Sequence, residues 1–248
     1  MKRKPVRRRL DQLLVERGLA DSLSKAAAMV LAGEVFLDGK RAEKAGMQVA
    51  VDAQIEIAGR QQKYVSRGGF KLEGALQDFS IDPSNLICLD VGSSHGGFTD
   101  CLLQQGAARV YAVDVNVEQL DWKLRHDPRV VRVKRNAREL RVADIPEPVD
   151  LIVIDVSFIS VCKVIEPAVV IAKAGASFLI LIKPQFELPR RAIGRGGIVS
   201  GKALHDQAML SVCQHVESLG LEFLGVQPSR LPGAEGNLEY FLHARKCR

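Results

Sequence analysis

The 248-residue sequence contains few cysteines and few histidines, and their placement excludes two classes of protein. Its five cysteines are odd in number, scattered, and never spaced C-x-x-C, so we expect neither a disulfide framework nor a zinc site. The five histidines are also dispersed without ligand spacing, and no metal is predicted. This composition predicts reduced thiols and a cytoplasmic protein.

Long apolar segments are missing as well. The strongest apolar run, Phe178 to Ile182, ends at once in Lys183 and Pro184, which is far short of a membrane span. Residues 1–9 are basic, but the apolar core of a signal peptide does not follow them. We therefore expect no membrane partner.

Positive charge is concentrated at the N-terminal end of the chain. Residues 1–63 carry 13 lysines and arginines against 8 acidic residues, whereas the remainder is nearly neutral. A basic module beside a neutral one indicates that the module binds a polyanion, and a solubilising basic tail is the alternative. The length allows one small and one medium domain, which we place at residues 1–60 and 61–248.

Residues 9–60 have the pattern of a small α+β unit. Two amphipathic segments, 9–17 and 23–31, predict helices, and a short β-turn-β element follows them before a polar linker at 59–63. This order resembles the α-L RNA-binding module of a small-subunit ribosomal protein, although Leu23 stands where that family usually has arginine. The cations expected to bind RNA phosphates are Arg7, Arg8, Arg9, Lys25, Lys40, Arg41 and Lys44.

Beyond residue 63, apolar segments alternate with helical ones, which predicts a mostly parallel, doubly wound α/β sheet. The expected helices are 97–105, 117–125, 161–173 and 201–219. The last two strands are separated only by residues 228–236, too few for a crossover helix, so they should form an antiparallel hairpin. Such a sheet resembles a class I (Rossmann-like) methyltransferase. The expected strands are 86–91, 108–115, 130–135, 149–156, 177–184, 221–228 and 237–244.

A glycine-rich turn follows the first of these strands, and the next strand ends in an acid. Glycines allow a close backbone approach, and an acid at that position accepts hydrogen bonds from ribose hydroxyls. The glycine spacing differs from the dinucleotide pattern and favours S-adenosylmethionine; simple loop punctuation is the alternative, and for Asn136 a turn residue. The residues assigned to this cofactor are Asp90, Gly92, Ser93, Ser94, Gly96, Gly97, Phe98, Asp114 and Asn136.

Charged residues end two further strands. Asp155 and Lys183 each follow an apolar run, at the edge where ligands bind in such sheets. A structural ion pair between them is the alternative to a catalytic role. Glu239 lies in the last predicted strand, and Lys71 lies on the entry helix shortly after Arg67.

At six motifs the chain resembles the TlyA family (often labelled hemolysin A), whose catalytic domain is similar to the FtsJ/RrmJ ribosomal RNA 2′-O-methyltransferases. These motifs are 64–71, 90–100, 154–158, 183–187, 194–198 and 235–239. The resemblance implies methylation of cytidine 2′-hydroxyls, with S-adenosylmethionine as cofactor and ribosomal RNA or ribosomal subunits as partner. His95 stands where the family more often has threonine. The implied catalytic tetrad is Lys71, Asp155, Lys183 and Glu239, and Arg67 joins the predicted RNA-binding residues.

A ribose hydroxyl must lose its proton during methyl transfer, and a neutral lysine amine can take it. We assign Lys183 as this base and Asp155 as its orienting partner, with Lys71 and Glu239 setting the electrostatics and positioning the ribose. Alternatively, Lys183 stays charged and only orients the hydroxyl. The sequence is also compatible with two other functions: a non-catalytic ribosome-binding or assembly factor, and a membrane-active hemolysin.

Overall fold

The computed structural model describes residues 7–58, 63–233 and 236–247. The chain divides into two compact units between Lys63 and Tyr64. The predicted boundary after residue 60 lies outside the described residues and stays a prediction. Most of the predicted linker at 59–63, and Glu235 of the last motif, also lie outside them.

The smaller unit packs two helices against short strands around a core that includes Leu14 and Val35, both fully buried. Ser22 begins the second helix, because its hydroxyl oxygen accepts the backbone N–H of Lys25. Arg7–Arg9 forms a strand that the sequence did not predict. The elements are β1 (Arg7–Arg9), α1 (Leu10–Glu16), α2 (Leu23–Leu31), β2 (Val35–Leu37), β3 (Lys40–Arg41), β4 (Gln48–Ala50) and β5 (Ile55–Ile57). Strand β1 pairs with β4, and β2 lies between β3 and β5, all antiparallel.

A seven-stranded mixed sheet forms the centre of the larger unit. Its strands are β6 (Ile87–Val91), β7 (Arg109–Asp114), β8 (Val130–Lys134), β9 (Val149–Ile154), β10 (Ala172–Ile182), β11 (Leu221–Pro228) and β12 (Tyr240–Lys246). Their order is β11-β12-β10-β9-β6-β7-β8. Strands β6 to β10 run parallel, and β12 is antiparallel to both of its neighbours. The predicted fold class and the C-terminal hairpin are confirmed, with the last strand inserted inside the sheet.

Helices cover both faces of this sheet, and each face has its own apolar core. The predicted helix over 117–125 is divided in two: Val117–Gln119 forms a 3-10 turn, and the Asp121 side chain, which accepts the Lys123 N–H, begins a separate one-turn helix. The predicted strand over 237–244 begins only at Tyr240, because the Asn237 side chain bonds another loop. The helices are α3 (Gly68–Asp78), α4 (Gly97–Gln104), α5 (Trp122–Arg125), α6 (Cys162–Ile171), α7 (Pro184–Glu187) and α8 (Lys202–Ser218).

The carboxyl ends of the parallel strands meet at one edge of the sheet. Asp90 and Asp114 lie at the ends of β6 and β7, and Asp155 and Lys183 directly follow β9 and β10. Tyr240, the first residue of β12, pairs with Ile182 at the end of β10. Parallel register therefore collects the charged residues of four strands on a single edge.

Candidate active site

Two ion pairs lie at this edge. The Lys183 Nζ atom is 2.5 Å from Asp155 Oδ1, and both residues follow neighbouring parallel strands. The Lys71 Nζ atom, from α3, donates to Glu239 Oε2 at 2.5 Å. Asp155 also acts electrostatically on Lys71, which places the two pairs beside one another. The structure thus brings together all four predicted tetrad residues.

The Lys71–Glu239 pair is almost completely withdrawn from water. The two side chains are 6% and 3% exposed. Burial lowers the pKa of Lys71, and the charge of Arg67 acts in the same direction, while Glu239 and Asp155 oppose it. A side chain on Gly233 would collide with the Glu239 carboxylate, so the glycine leaves room for it. Breaking such a buried pair is costly, because the remaining charge would have no partner.

A serine completes the surroundings of the Lys183 amine. Lys183 Nζ donates to Ser157 Oγ at 2.9 Å, two residues after Asp155. Lys183 is only 9% exposed, so the amine has few directions left open. Sequence reasoning missed Ser157, although the 154–158 motif contains it. Its contact with Lys183 depends on the conformation of the loop after β9, which the sequence pattern does not encode.

Two aromatic rings stand on the exposed side of the same loops. Phe158 is 89% exposed and adopts a φ of +68°, a left-handed conformation that is unfavourable for a bulky residue. Its ring centroid lies 5.4 Å from that of Phe186, at an interplanar angle of 50°. Phe158 follows Ser157, which contacts Lys183. An exposed phenylalanine held in a strained conformation at this position indicates a surface for a planar ligand. Neither ring was among the predicted site residues.

The cofactor side of the edge begins at Asp90, which is fully buried. Its Oδ2 atom accepts the Thr99 hydroxyl at 2.6 Å, whereas Oδ1 has no hydrogen-bond partner among the described residues. Burial raises the pKa of Asp90 to about 7, and the negative charges of Asp155 and Asp114 add to the shift. A positively charged group beside Asp90 would reverse this penalty.

Asp114 organises the loop next to it. Its Oδ2 atom accepts the Ser94 backbone N–H, and Oδ1 accepts the Asn116 N–H, both at 2.9 Å. The Gln119 side-chain amide also donates to Oδ1, at 3.3 Å. An ionised carboxylate offers about four acceptor positions, so one remains for a ligand hydroxyl. Asp114 therefore holds the predicted cofactor loop in place as well as facing its site.

Two glycines of this loop are required by packing within the protein. Gly92 has a φ of +90°, and a Cβ there would lie 2.2 Å from the backbone oxygen of Asp155. A Cβ on Gly97 would lie 2.2 Å from Ser66 Oγ, at the start of α3. These residues let the cofactor loop pack closely against two neighbouring segments. From the sequence, we predicted only that these glycines let the backbone approach the cofactor.

The remaining predicted cofactor residues occupy different environments. Ser93 and Gly96 are buried in the loop, and Ser94 is exposed. Phe98 is 4% exposed and packs against Phe241 in the core beneath the loop. The Asn136 side chain accepts the Arg138 N–H and caps a short turn after β8, as the turn alternative predicted.

The predicted RNA-binding cations are all exposed: Arg7, Arg8, Arg9, Lys25, Lys40, Arg41, Lys44 and Arg67. Three of them also make contacts within the smaller unit. Arg8 pairs with Glu16 at 3.0 Å, and Arg9 forms two hydrogen bonds with the Asp11 carboxylate. Arg41 donates to the Ala32 carbonyl at the end of α2.

The sheet order, the glycine-rich loop after β6 and the acid at the end of β7 define a Rossmann-like methyltransferase domain. The model of the FtsJ-like methyltransferases matches residues 64–246, and that of the S4 domain matches residues 8–55. The chain belongs to the FtsJ-like methyltransferase family and carries an N-terminal S4 domain.

Relatives support the same grouping. A Mycobacterium tuberculosis protein named 16S/23S rRNA (cytidine-2′-O)-methyltransferase TlyA is 44% identical over 241 residues, covering 96% of this chain and 90% of its own length. Hemolysin A of Brachyspira hyodysenteriae is 40% identical over 238 residues, covering 95% and 98%. The predicted resemblance to the TlyA family is confirmed.

Solved structures agree on the fold. A Streptococcus thermophilus structure that carries a hemolysin name has a TM-score of 0.78 and 37% identity, covering 97% of this chain and 89% of that one. An S-adenosylmethionine-dependent methyltransferase from Mesorhizobium loti has a TM-score of 0.53 and 14% identity, covering 71% and 98%. The second likeness shows the fold alone.

The described part of the chain has neither a membrane-spanning helix nor a cluster of metal ligands. No helix among those residues is both long and apolar enough to cross a membrane. No cluster of three or more histidine, cysteine or acidic side chains there could hold a metal ion.

Proposed function

We propose that this protein transfers a methyl group from S-adenosylmethionine to a ribose 2′-hydroxyl of ribosomal RNA, with cytidine as the modified nucleoside. The observation that carries the proposal is the double ion pair at the carboxyl edge, Lys183–Asp155 and Lys71–Glu239. The name of the M. tuberculosis relative supports the substrate, and the S4 domain supports an RNA partner.

The cofactor side of the edge suits a cation. Asp90 Oδ1 and Ser93 Oγ are buried polar atoms without hydrogen-bond partners among the described residues. Asp90 and Asp114 would attract the positive charges of S-adenosylmethionine, and the open acceptor position of Asp114 would take a ribose hydroxyl. When bound, S-adenosylmethionine supplies an electrophilic methyl group. The product lacks the sulfonium charge, so Asp90 and Asp114 would attract it less strongly and its release would be favoured.

Lys183 would accept the proton of the attacking hydroxyl as the methyl carbon exchanges its bond to the donor sulfur for a bond to the ribose oxygen, which leaves the sulfur as a neutral thioether. Asp155 and Ser157 direct its amine, which leaves one open direction for the acceptor. To act as a base, Lys183 must first have lost its own proton. Lys71 and Glu239 form a second, buried pair that fixes the charge beside the ribose. Before Lys183 loses its proton, the four residues balance two positive charges with two negative ones.

The exposed ring of Phe158, packed beside the half-buried ring of Phe186, provides the surface for the acceptor base. Bases in single-stranded or flipped-out RNA stack on aromatic side chains, and each stacked base contributes about 1–3 kcal/mol. The exposed cations of the S4 domain, together with Arg67, bind phosphates and supply most of the RNA affinity.

The test is methylation of purified ribosomal particles with S-adenosylmethionine labelled in its methyl group, followed by mapping of the labelled nucleotide. A 2′-deoxy substitution at that nucleotide should abolish transfer and change binding little, because phosphate contacts persist. The same substitution at the adjacent nucleotide is the control and should leave transfer intact. Methyl transfer to the deoxy nucleotide would contradict the 2′-O assignment. Cofactor binding without any transfer would favour an assembly factor.

A further inference from the structure

Two loops carry the active-site residues of β9 and β10, and Glu187 joins them. We name them the β9 loop (residues 155–161) and the β10 loop (residues 183–187). Glu187 Oε2 accepts the Ser160 hydroxyl at 2.6 Å, and Glu187 Oε1 accepts the Val161 backbone N–H at 2.8 Å. Both carboxylate oxygens of one loop are therefore committed to the other loop.

The surroundings of Glu187 show that this contact is built in. The side chain is partly buried, and Val161 directly precedes α6, so the carboxylate lies at a helix N-terminus, where negative charge is stabilised. Burial raises the pKa of Glu187, while its bonds from Ser160 and Val161 and the charge of His215 lower it. No step of the proposed reaction uses this carboxylate.

Glu187 follows Lys183 by one helical turn, so it fixes the lysine's own loop. On the active-site side, the two loops meet through the Lys183 contacts to Asp155 and Ser157, and through the Phe158–Phe186 ring pair. These contacts lie at the edge open to substrate. The Glu187 bonds join the same two loops through different residues, and they involve no group that the substrate would contact.

We propose that Glu187 is a positioning residue for methyl transfer: its carboxylate holds the β9 loop against the β10 loop and keeps the Lys183 amine directed at the acceptor. The inference rests on the proposed function. Displacement of a reacting group by about 1 Å can lower a rate roughly 100-fold, so loss of the bond should reduce turnover without removing any group that touches substrate.

The test compares Glu187→Ala with Glu187→Gln. Glutamine keeps both hydrogen bonds, because its carbonyl accepts from Val161 and its amide donates to the Ser160 oxygen. The matched control is Asp150→Ala, which removes a carboxylate that accepts the Ile87 N–H at 2.9 Å and the Lys173 amine at 2.6 Å. Asp150 lies at the start of β9, at the opposite end of that strand from the site.

Single-turnover methylation of ribosomal RNA should fall roughly 10- to 100-fold in Glu187→Ala, recover in Glu187→Gln, and stay near wild type in Asp150→Ala. The dissociation constant for S-adenosylmethionine should change less than about twofold, because within the described part of the chain Glu187 bonds Ser160 and Val161, neither of which is assigned to the cofactor. Equal rates in Glu187→Ala and Asp150→Ala, or a glutamine variant as slow as the alanine variant, would overturn the proposal.

A second readout needs no methyl transfer. Hydrogen exchange of the Val161 amide should accelerate in Glu187→Ala and stay protected in Glu187→Gln, so failure of the contact is told apart from failure of the proposed function. If Glu187→Ala does not fold, Ser160→Ala removes one of the two bonds and should lower the rate roughly 3- to 10-fold. An unchanged rate in Ser160→Ala together with unchanged Val161 exchange would also overturn the proposal.

Discussion

Asp90 makes a specific prediction about stability and pH. Its pKa is raised to about 7 by burial, whereas an aspartate in an unfolded chain titrates near about 3.9. Between these values the folded protein holds a proton that the unfolded chain has released. The free energy of unfolding should therefore fall as pH rises through this window, by at most about 1.4 kcal/mol per unit and about 4 kcal/mol in total. Above pH 7 this contribution is constant.

Asp90→Asn removes the titration and keeps the shape. The asparagine oxygen can still accept from Thr99, but its amide would occupy the position where Oδ1 has no partner, at a cost of about 1–3 kcal/mol. That cost does not depend on pH. The measurement is therefore the difference in unfolding free energy between the two proteins at several pH values, in which other titrating groups largely cancel.

Trp122 is the only tryptophan of the chain and lies in the larger unit, so its fluorescence follows unfolding of that unit alone. In urea unfolding without cofactor, the unfolding free energy of the asparagine variant should rise by several kcal/mol relative to that of wild type as the pH increases from 4.5 to 8. Thr99→Val is the second arm: loss of the hydroxyl raises the pKa of Asp90 further and moves the window upward. A difference that is flat across this pH range would refute the reasoning.

Three further outcomes are expected. Asp114→Ala should weaken S-adenosylmethionine binding by about 1.5–3 kcal/mol in calorimetry, since a charged acceptor and the loop it holds are both lost; an unchanged dissociation constant would move the cofactor elsewhere. Lys183→Arg should abolish turnover at normal cofactor affinity, because guanidinium keeps its proton; appreciable activity would favour the charged, orienting lysine. Removal of residues 1–60 should leave cofactor affinity nearly unchanged, sharply reduce RNA methylation and flatten the salt dependence of RNA binding; equal salt slopes would reject the role of the S4 domain.

The fold and the strand-end residues could be predicted because they depend on local patterns. Buried parallel strands are continuous apolar runs, so the end of each run marks the edge at which Asp90, Asp114, Asp155 and Lys183 stand. The helix at 23–31 was predicted to the residue, since Ser22 is a strong N-cap. The predicted helix over 117–125 is interrupted in the structure, because Asp121 caps a new turn instead of continuing the first one.

Contacts between distant loops could not be predicted in this way. Lys71 and Glu239 are 168 positions apart, and they meet because β12 inserts beside β10. The tetrad assignment of these two residues came from the family resemblance, which identifies their positions in the sequence but not their arrangement in space. The motifs at 154–158 and 183–187 also contain Ser157, Phe158 and Glu187. The roles of these residues depend on loop conformation, including the positive φ of Phe158. No periodicity encodes that conformation.

The distribution of charge explains why the two units belong to one chain. In the larger unit the tetrad balances its own charges, Asp114 adds negative charge at the cofactor side, and Asp90 adds a further negative charge once its proton is lost. Such an edge attracts a cationic cofactor but repels RNA phosphates. Because residues 64–248 are nearly neutral overall, they supply little electrostatic affinity for a polyanion, whereas residues 1–63 carry most of the excess positive charge. The proposed reaction therefore requires the S4 domain to hold the RNA while an acidic edge holds the methyl donor.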